Sequence, residues 1–150
     1  MSTENMLFTA DEIAKQNIEK EDLIISISER KQIKVIILKE PLNGSRIALQ
    51  IVLVFNDKPT RCSVLLALDE FEKFAETVKT IWETPNAEKK EFSNKREWQL
   101  YNHHLYKGIW NLDLRDNNGI QSKIGLTLYE LRSIALSSVF MIKRCKEMNI

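Results

Sequence analysis

The sequence predicts an α+β fold: two antiparallel β-sheets, each followed by an α-helix, with a short helix at the N-terminus. Two observations predict it. Residues 46–83 read as a long apolar strand, a polar turn, a second strand and an amphipathic helix. Sixty positions later, residues 106–143 repeat that plan without a gap. At that offset Leu66, Leu68, Glu70 and Ala75 meet the identical Leu126, Leu128, Glu130 and Ala135, while Phe71 and Phe74 meet Leu131 and Ile134. One such unit leaves a sheet face unfinished, and two units packed together complete one core. The 150 residues are therefore expected to form a single domain of two ββββα pseudo-repeats, about 22–83 and 96–147, joined by a polar linker at 84–95.

The elements follow in order. Thr9 and Glu12 fit a capping box that opens a helix over about 9–19, whose apolar face, Ile13 and Ile18, is thin. Residues 23–28 and 33–38 are β-branched runs joined by a charged turn, and Pro41, Asn43 and Gly44 break the chain after them. Residues 46–55 are apolar on both parities. Ile47, Leu49, Ile51, Leu53 and Phe55 share one face and Ala48, Val52 and Val54 the other, the pattern of a strand covered on both sides. A turn at 56–59 leads to a strand at 61–68. The helix over about 69–83 then buries Phe71, Phe74, Ala75, Val78, Ile81 and Trp82.

In the second half a strand over 96–106 precedes a hairpin of 108–115 and 120–128. Leu112 and Leu114 share a face with Ser122, Ile124 and Leu126 only if 114 stands opposite 122 and 112 opposite 124. That register leaves Asn117, Asn118 and Gly119 as a three-residue connection with Gly119 in the left-handed position. It also sets Arg115 against Gln121 and Asp113 against Lys123 on a polar face. The last helix opens at Thr127 with Glu130 as a second capping box, and Leu131, Ile134, Ala135, Val139, Ile142 and Cys145 form its expected buried stripe.

Composition narrows the function. A 43% hydrophobic and 29% charged chain is globular, and a net charge of +1 excludes a general polyanion binder, so any nucleic-acid site is a local patch. No apolar run approaches the ~18–20 residues that cross a bilayer. The N-terminus lacks the basic and apolar segments of a signal peptide. No membrane partner and an intracellular location, cytoplasmic or nucleoid-associated, are expected. Cys62 and Cys145 are too few for a disulfide or zinc scaffold and read as buried thiols. His103 and His104, on opposite faces of a strand, make a poor chelate, and neither a nucleophilic triad nor a glycine-rich phosphate loop occurs. A non-enzyme without cofactor or metal is expected.

The segment IWNLDLRDNNGIQSKIGLTLYELRSIAL, residues 109–136, resembles the core of the single-stranded-DNA-binding transcriptional coactivators of the positive cofactor four type. Two such units in one chain resemble the whirly fold of plant DNA-binding proteins. The resemblance implies tandem ββββα units and single-stranded nucleic acid as ligand. Stacking aromatics and backbone-pairing cations are what such a ligand needs. The candidates are Arg96, Trp98, Tyr101, Tyr106, Arg115 and Lys123 in the second half, with Lys34, Lys58 and Arg61 in the first. Either Trp98 and Tyr106 or Tyr101 faces the polar side with Arg115, and Trp110 belongs to the core. The expected partner is single-stranded DNA or RNA; the alternative is a protein-interaction or assembly module with a polypeptide ligand. The Ile47–Phe55 face is apolar where its counterparts sixty residues on are Lys107, Ile109, Asn111, Asp113 and Arg115, which points to a homo-oligomer, most simply a dimer, built on the first half.

Overall fold

Among the described residues two four-stranded antiparallel meanders carry the chain. In the first, β1 (Lys20–Ser26), β2 (Lys31–Leu38), β3 (Ala48–Phe55) and β4 (Lys58–Ala67) lie in sequence order, and helix α1 (Leu68–Glu83) follows. In the second, β5 (Glu91–Ser93), β6 (Trp98–Asn102), β7 (Ile109–Arg115) and β8 (Gln121–Thr127) repeat that order, and α2 (Leu128–Met148) follows. The computed structural model describes residues 20–26, 30–38, 48–106 and 108–148, so the expected N-terminal helix and the break at Pro41, Asn43 and Gly44 lie outside the described residues. The α+β class, with each sheet followed by a helix, is the one expected.

Local chemistry explains the turns and helix starts. Asn56 and Asp57 join β3 to β4 at φ 52° and 66°. Short polar side chains tolerate that left-handed backbone, and a two-residue loop of this hand matches the strand twist. Between β7 and β8 the expected register is observed: Leu112 faces Ile124, Leu114 faces Ser122 and Arg115 faces Gln121. Asp116 N donates to Ile120 O at 3.0 Å, and Gly119 sits at φ 81°. At the start of α2, Thr127 N donates to Glu130 Oε1 at 2.8 Å while Glu130 N donates to Thr127 Oγ1 at 3.1 Å, which is the expected capping box. Helix α1 keeps half of this device, Ala67 N donating to Glu70 Oε1 at 2.9 Å, because alanine has no hydroxyl to return the bond.

Two expectations about the units change. The polar linker does not extend to 95: residues 91–93 pair with β6, Phe92 opposite Leu100, so the second sheet has its fourth strand and the connection shrinks to 84–90. The repeat is also not a constant sixty residues. Val64 and Ile124 occupy matching core positions sixty apart, but their partners Ile51 and Leu112 are sixty-one apart, and the next partners, Val35 and Leu100, are sixty-five apart. A register shift between Val52 and Val54 and loops of unequal length absorb the difference.

The corrected alignment moves the core. Ile33, Val35, Leu49, Ile51 and Leu53 match Trp98, Leu100, Trp110, Leu112 and Leu114, and all ten are buried in one cluster with Cys62, Val64, Leu66, Ile124, Leu126 and the inner faces of both helices. The Leu49–Leu53 face is therefore intramolecular core, not the oligomer surface expected from an ungapped repeat. In α2 the buried stripe runs through Leu131, Ile134, Ala135, Ser138, Met141 and Cys145, whereas Val139, expected in it, is 63% exposed. Ser138 is admitted because its Oγ donates to Ile134 O at 2.7 Å.

Reciprocal contacts join the units. Phe74 of α1 meets Trp98 of β6 edge-on at 5.3 Å. Arg96 Nη2 lies 2.9 Å from Glu70 Oε2, and Lys31 Nζ lies 3.9 Å from Glu130 Oε2. Lys31 and Arg96 each stand two residues before the matching core positions Ile33 and Trp98, and Glu70 and Glu130 are the matching helix-start acids. Each cation thus reaches across to the other unit's helix.

Leu53→Ala should cost about 2–5 kcal/mol by urea denaturation. Leu53→Lys should lose cooperative unfolding altogether, because Leu53 is 0% exposed and the ammonium would have no partner there. The buried Cys62 thiol gives a pH signature. Its pKa is pushed from 9.0 up to about 11, first by burial and then by the charge of Asp116, with a backbone hydrogen bond from Asp116 acting the other way. The folded chain holds this proton where the unfolded chain releases it. The contribution is complete below pH 9 and is lost as pH rises towards 11. Urea midpoints across that range should fall more steeply for the natural protein than for Cys62→Ala.

Candidate nucleic-acid interface

The β6–β7 pairing decides which aromatics face outward. Trp98 stands opposite Leu114 and Leu100 opposite Leu112, which turns Gln99 and Tyr101 to the other face, beside Asp113 and Asn111. Of the two orientations open to the sequence, the one that places Tyr101 on the polar side with Arg115 is observed. Trp98 is 6% exposed and packs on Phe74, so its indole serves the core and offers no face to a ligand, which corrects its candidacy. Trp110 is buried, as expected.

The outer face of the second sheet then reads Gln99 and Tyr101 on β6, Asn111, Asp113 and Arg115 on β7, and Gln121 and Lys123 on β8. Lys123 Nζ lies 5.9 Å from the centroid of the Tyr101 ring. The Lys123 pKa is raised, first by its side-chain hydrogen bond with Tyr101 and then by the Asp113 carboxylate. Asp113 Oδ1 is buried and, among the described residues, has no hydrogen-bond donor. With its amide oxygen turned to Arg115, Gln121 accepts from the guanidinium Nε at 3.0 Å. Gln99 Nε2 donates to Glu91 Oε1 on the neighbouring strand.

Two shallow clefts cross this face. One, of about 190 Å³, lies among Arg96, Gln99, Asp113, Arg115 and Gln121, and the other, of about 380 Å³, among Lys90, Glu91, Gln99, Tyr101 and Asp113. Gln99 and Asp113 line both, so the clefts adjoin. Asn94 sets the first: its Oδ1 accepts from the backbone N–H of Arg96, Glu97 and Trp98, with Lys95 at φ 68°. Arg96 is exposed but engaged with Glu70 and, at 3.6 Å, with Glu97.

At the other end of β6 the chain leaves the sheet earlier than expected, so His103 and His104 lie in a loop and not on opposite strand faces. Their rings stack at 5.1 Å, inclined by 4°, and Tyr106 lies 5.0 Å from His103. His103 Nδ1 accepts from the backbone N–H of Leu105 and Tyr106 and holds the loop in shape. Tyr106 is 63% exposed.

Arg96, Tyr101, Arg115 and Lys123 are thus gathered on or beside one face, with Tyr106 at its end. Lys34, Lys58 and Arg61 belong to the other sheet: Lys34 opposite Val52, Lys58 at the β3–β4 hairpin, and Arg61 exposed on β4. The sequence reading missed Gln99, Asn111 and Lys90. Gln99 and Asn111 are legible once Trp98 and Leu100 are recognised as a core pair, because the residues between and opposite them alternate outward. Among the described residues no three His, Cys, Asp or Glu side chains converge on a metal-sized site, and no helix is long and apolar enough to cross a membrane.

Core and face separate by measurement. Trp98→Ala should cost about 3–5 kcal/mol in urea. Tyr101→Ala, on the wet side of the same strand, should cost well under half of that. No protein-family model matches the chain, and no curated protein matches it.

Proposed function

We propose that the outer face of the second sheet binds single-stranded nucleic acid, DNA or RNA, without catalysis, in the service of transcription, replication or repair. The observation that carries this reading is the contrast between two matching surfaces. On the first sheet the outer face is largely apolar and buried, Ile36, Ala48, Val52 and Val54 lying beside the buried amide of Gln50 and the half-buried Lys34. The counterparts of those four apolar residues on the second sheet are Tyr101, Ile109, Asp113 and Arg115, and that face lies open among cations. Tyr101 and Tyr106 supply ring faces for bases, and Lys123 and Arg115 supply charge for the backbone. The resemblance of residues 109–136 to the positive cofactor four type supports the same ligand.

The rival, a polypeptide-binding module, is favoured by Glu91 and Asp113, which temper the positive face, and by the net charge of +1. Fluorescence-anisotropy titrations with single-stranded DNA, single-stranded RNA and duplex DNA at two salt concentrations decide between them. Binding to a single strand should weaken as salt rises. Tyr101→Ala should raise Kd roughly 5- to 150-fold, the equivalent of about 1–3 kcal/mol of stacking. Lys123→Gln and Arg115→Gln should each lower the logarithmic salt slope by about 0.7, while Lys58→Gln on the first sheet leaves it unchanged. Binding that ignores salt, or that survives Tyr101→Ala undiminished, removes this face from consideration.

A further inference from the structure

The outward side of α2 is apolar where the outward side of α1 is not. Tyr129, Leu136, Val139 and Phe140 are 78%, 51%, 63% and 76% exposed. They lie on one side of the helix, since positions four and seven residues from Leu136 fall one and two turns away from it. Sixty residues earlier, α1 places Asp69, Glu76, Lys79 and Thr80 at the matching positions, all exposed and polar. The fold therefore does not require an apolar surface there. The helix starts coincide in this alignment, Leu68 with Leu128, so the comparison holds turn by turn.

We propose that this side of α2 is a self-association surface and that its partner is a second copy of this chain, with the helices antiparallel about a two-fold axis at Leu136. The surface is self-complementary in that arrangement. Phe140 stands opposite Arg132 of the second copy, and Tyr129 opposite its Lys143, a cation facing an aromatic ring four times over. Arg132 is already held at the edge of the stripe, 5.8 Å from the Trp82 ring. A depression of about 460 Å³, lined by Val139, Ile142, Lys143, Lys146 and Glu147, lies where Tyr129 of the second copy would enter. Projecting aromatics thus meet a hollow and a cation on the same helix. The first sheet's Leu49–Leu53 face plays no part, being buried within the chain.

This inference does not depend on the nucleic-acid reading. Light scattering on the natural protein at micromolar concentration should return twice the chain mass. Leu136→Glu sets two carboxylates against each other at the axis and should return the single-chain mass with an unchanged far-UV spectrum. Leu136→Cys should form a disulfide-linked dimer under mild oxidant, because the axis brings the two thiols together, whereas Glu76→Cys at the matching site of α1 should not. Cys62 and Cys145 are buried and do not compete. A monomeric natural protein overturns the proposal. So does a Leu136→Glu variant that stays dimeric, or a Leu136→Cys variant that cross-links no faster than Glu76→Cys.

Discussion

Neither sheet can bury its apolar face alone, and that constraint organises the molecule. Each meander presents a face of large side chains, Leu49, Ile51 and Leu53 on one and Trp110, Leu112 and Leu114 on the other, and each is followed by a single helix. One helix covers only part of a four-stranded sheet. The units therefore close on one another, and their facing surfaces merge into one cluster with Phe74 and Trp98 in contact across the seam. The ion pairs Lys31–Glu130 and Arg96–Glu70 follow the same pseudo-two-fold relation. Exposed pairs of this kind are worth about 0–1 kcal/mol each. Their value here is in orientation: the acid that caps each helix is also the acid that meets the other unit.

With the inner faces committed to each other, the outer faces were free to diverge. One is closed off by Ile36, Val52 and Val54, and within it Gln50 Nε2 is satisfied by Ser63 Oγ at 3.1 Å. The other keeps tyrosine, amides and charges in reach of solvent. The helices diverged in the opposite sense, charged on α1 and apolar on α2. The pseudo-repeat presents two versions of each surface, and in each pair the two differ in polarity.

Where local chemistry decides, the sequence was legible. The β7–β8 register followed from apolar alternation and Gly119, and the α2 start followed from Thr127 and Glu130. Where tertiary pairing decides, it was not. β5 is three residues long with Phe92 its one apolar side chain, too little for a periodicity, and it exists because β6 needed a neighbour. The orientation of Trp98 and Tyr101 depends on which residue of β7 each faces, and the strand itself carries aromatics on both parities. The ungapped offset misplaced the Leu49–Leu53 face because a single-residue shift reverses every side chain of a strand. Val139 was misjudged for a related reason: an apolar helix residue reads as core until its neighbours are known. The candidate site was half legible, its cations and tyrosines visible in composition and its amides hidden until the strand orientation was known.

The connection at residues 84–90 joins two halves that are each incomplete, and this bears on how the chain comes into being. The bonds that span the seam link residues far apart in sequence, Ser122 with Thr60 and Lys31 with Gly125. During synthesis the first meander and its helix leave the ribosome before the second sheet does. Until β6, β7 and β8 have emerged, the face of Leu49, Ile51 and Leu53 has only α1 to cover it. Closure over such separations is slow, and an unfinished apolar sheet is prone to aggregation in the interval. The nascent chain is thus at its most vulnerable when its first unit has emerged and its second has not.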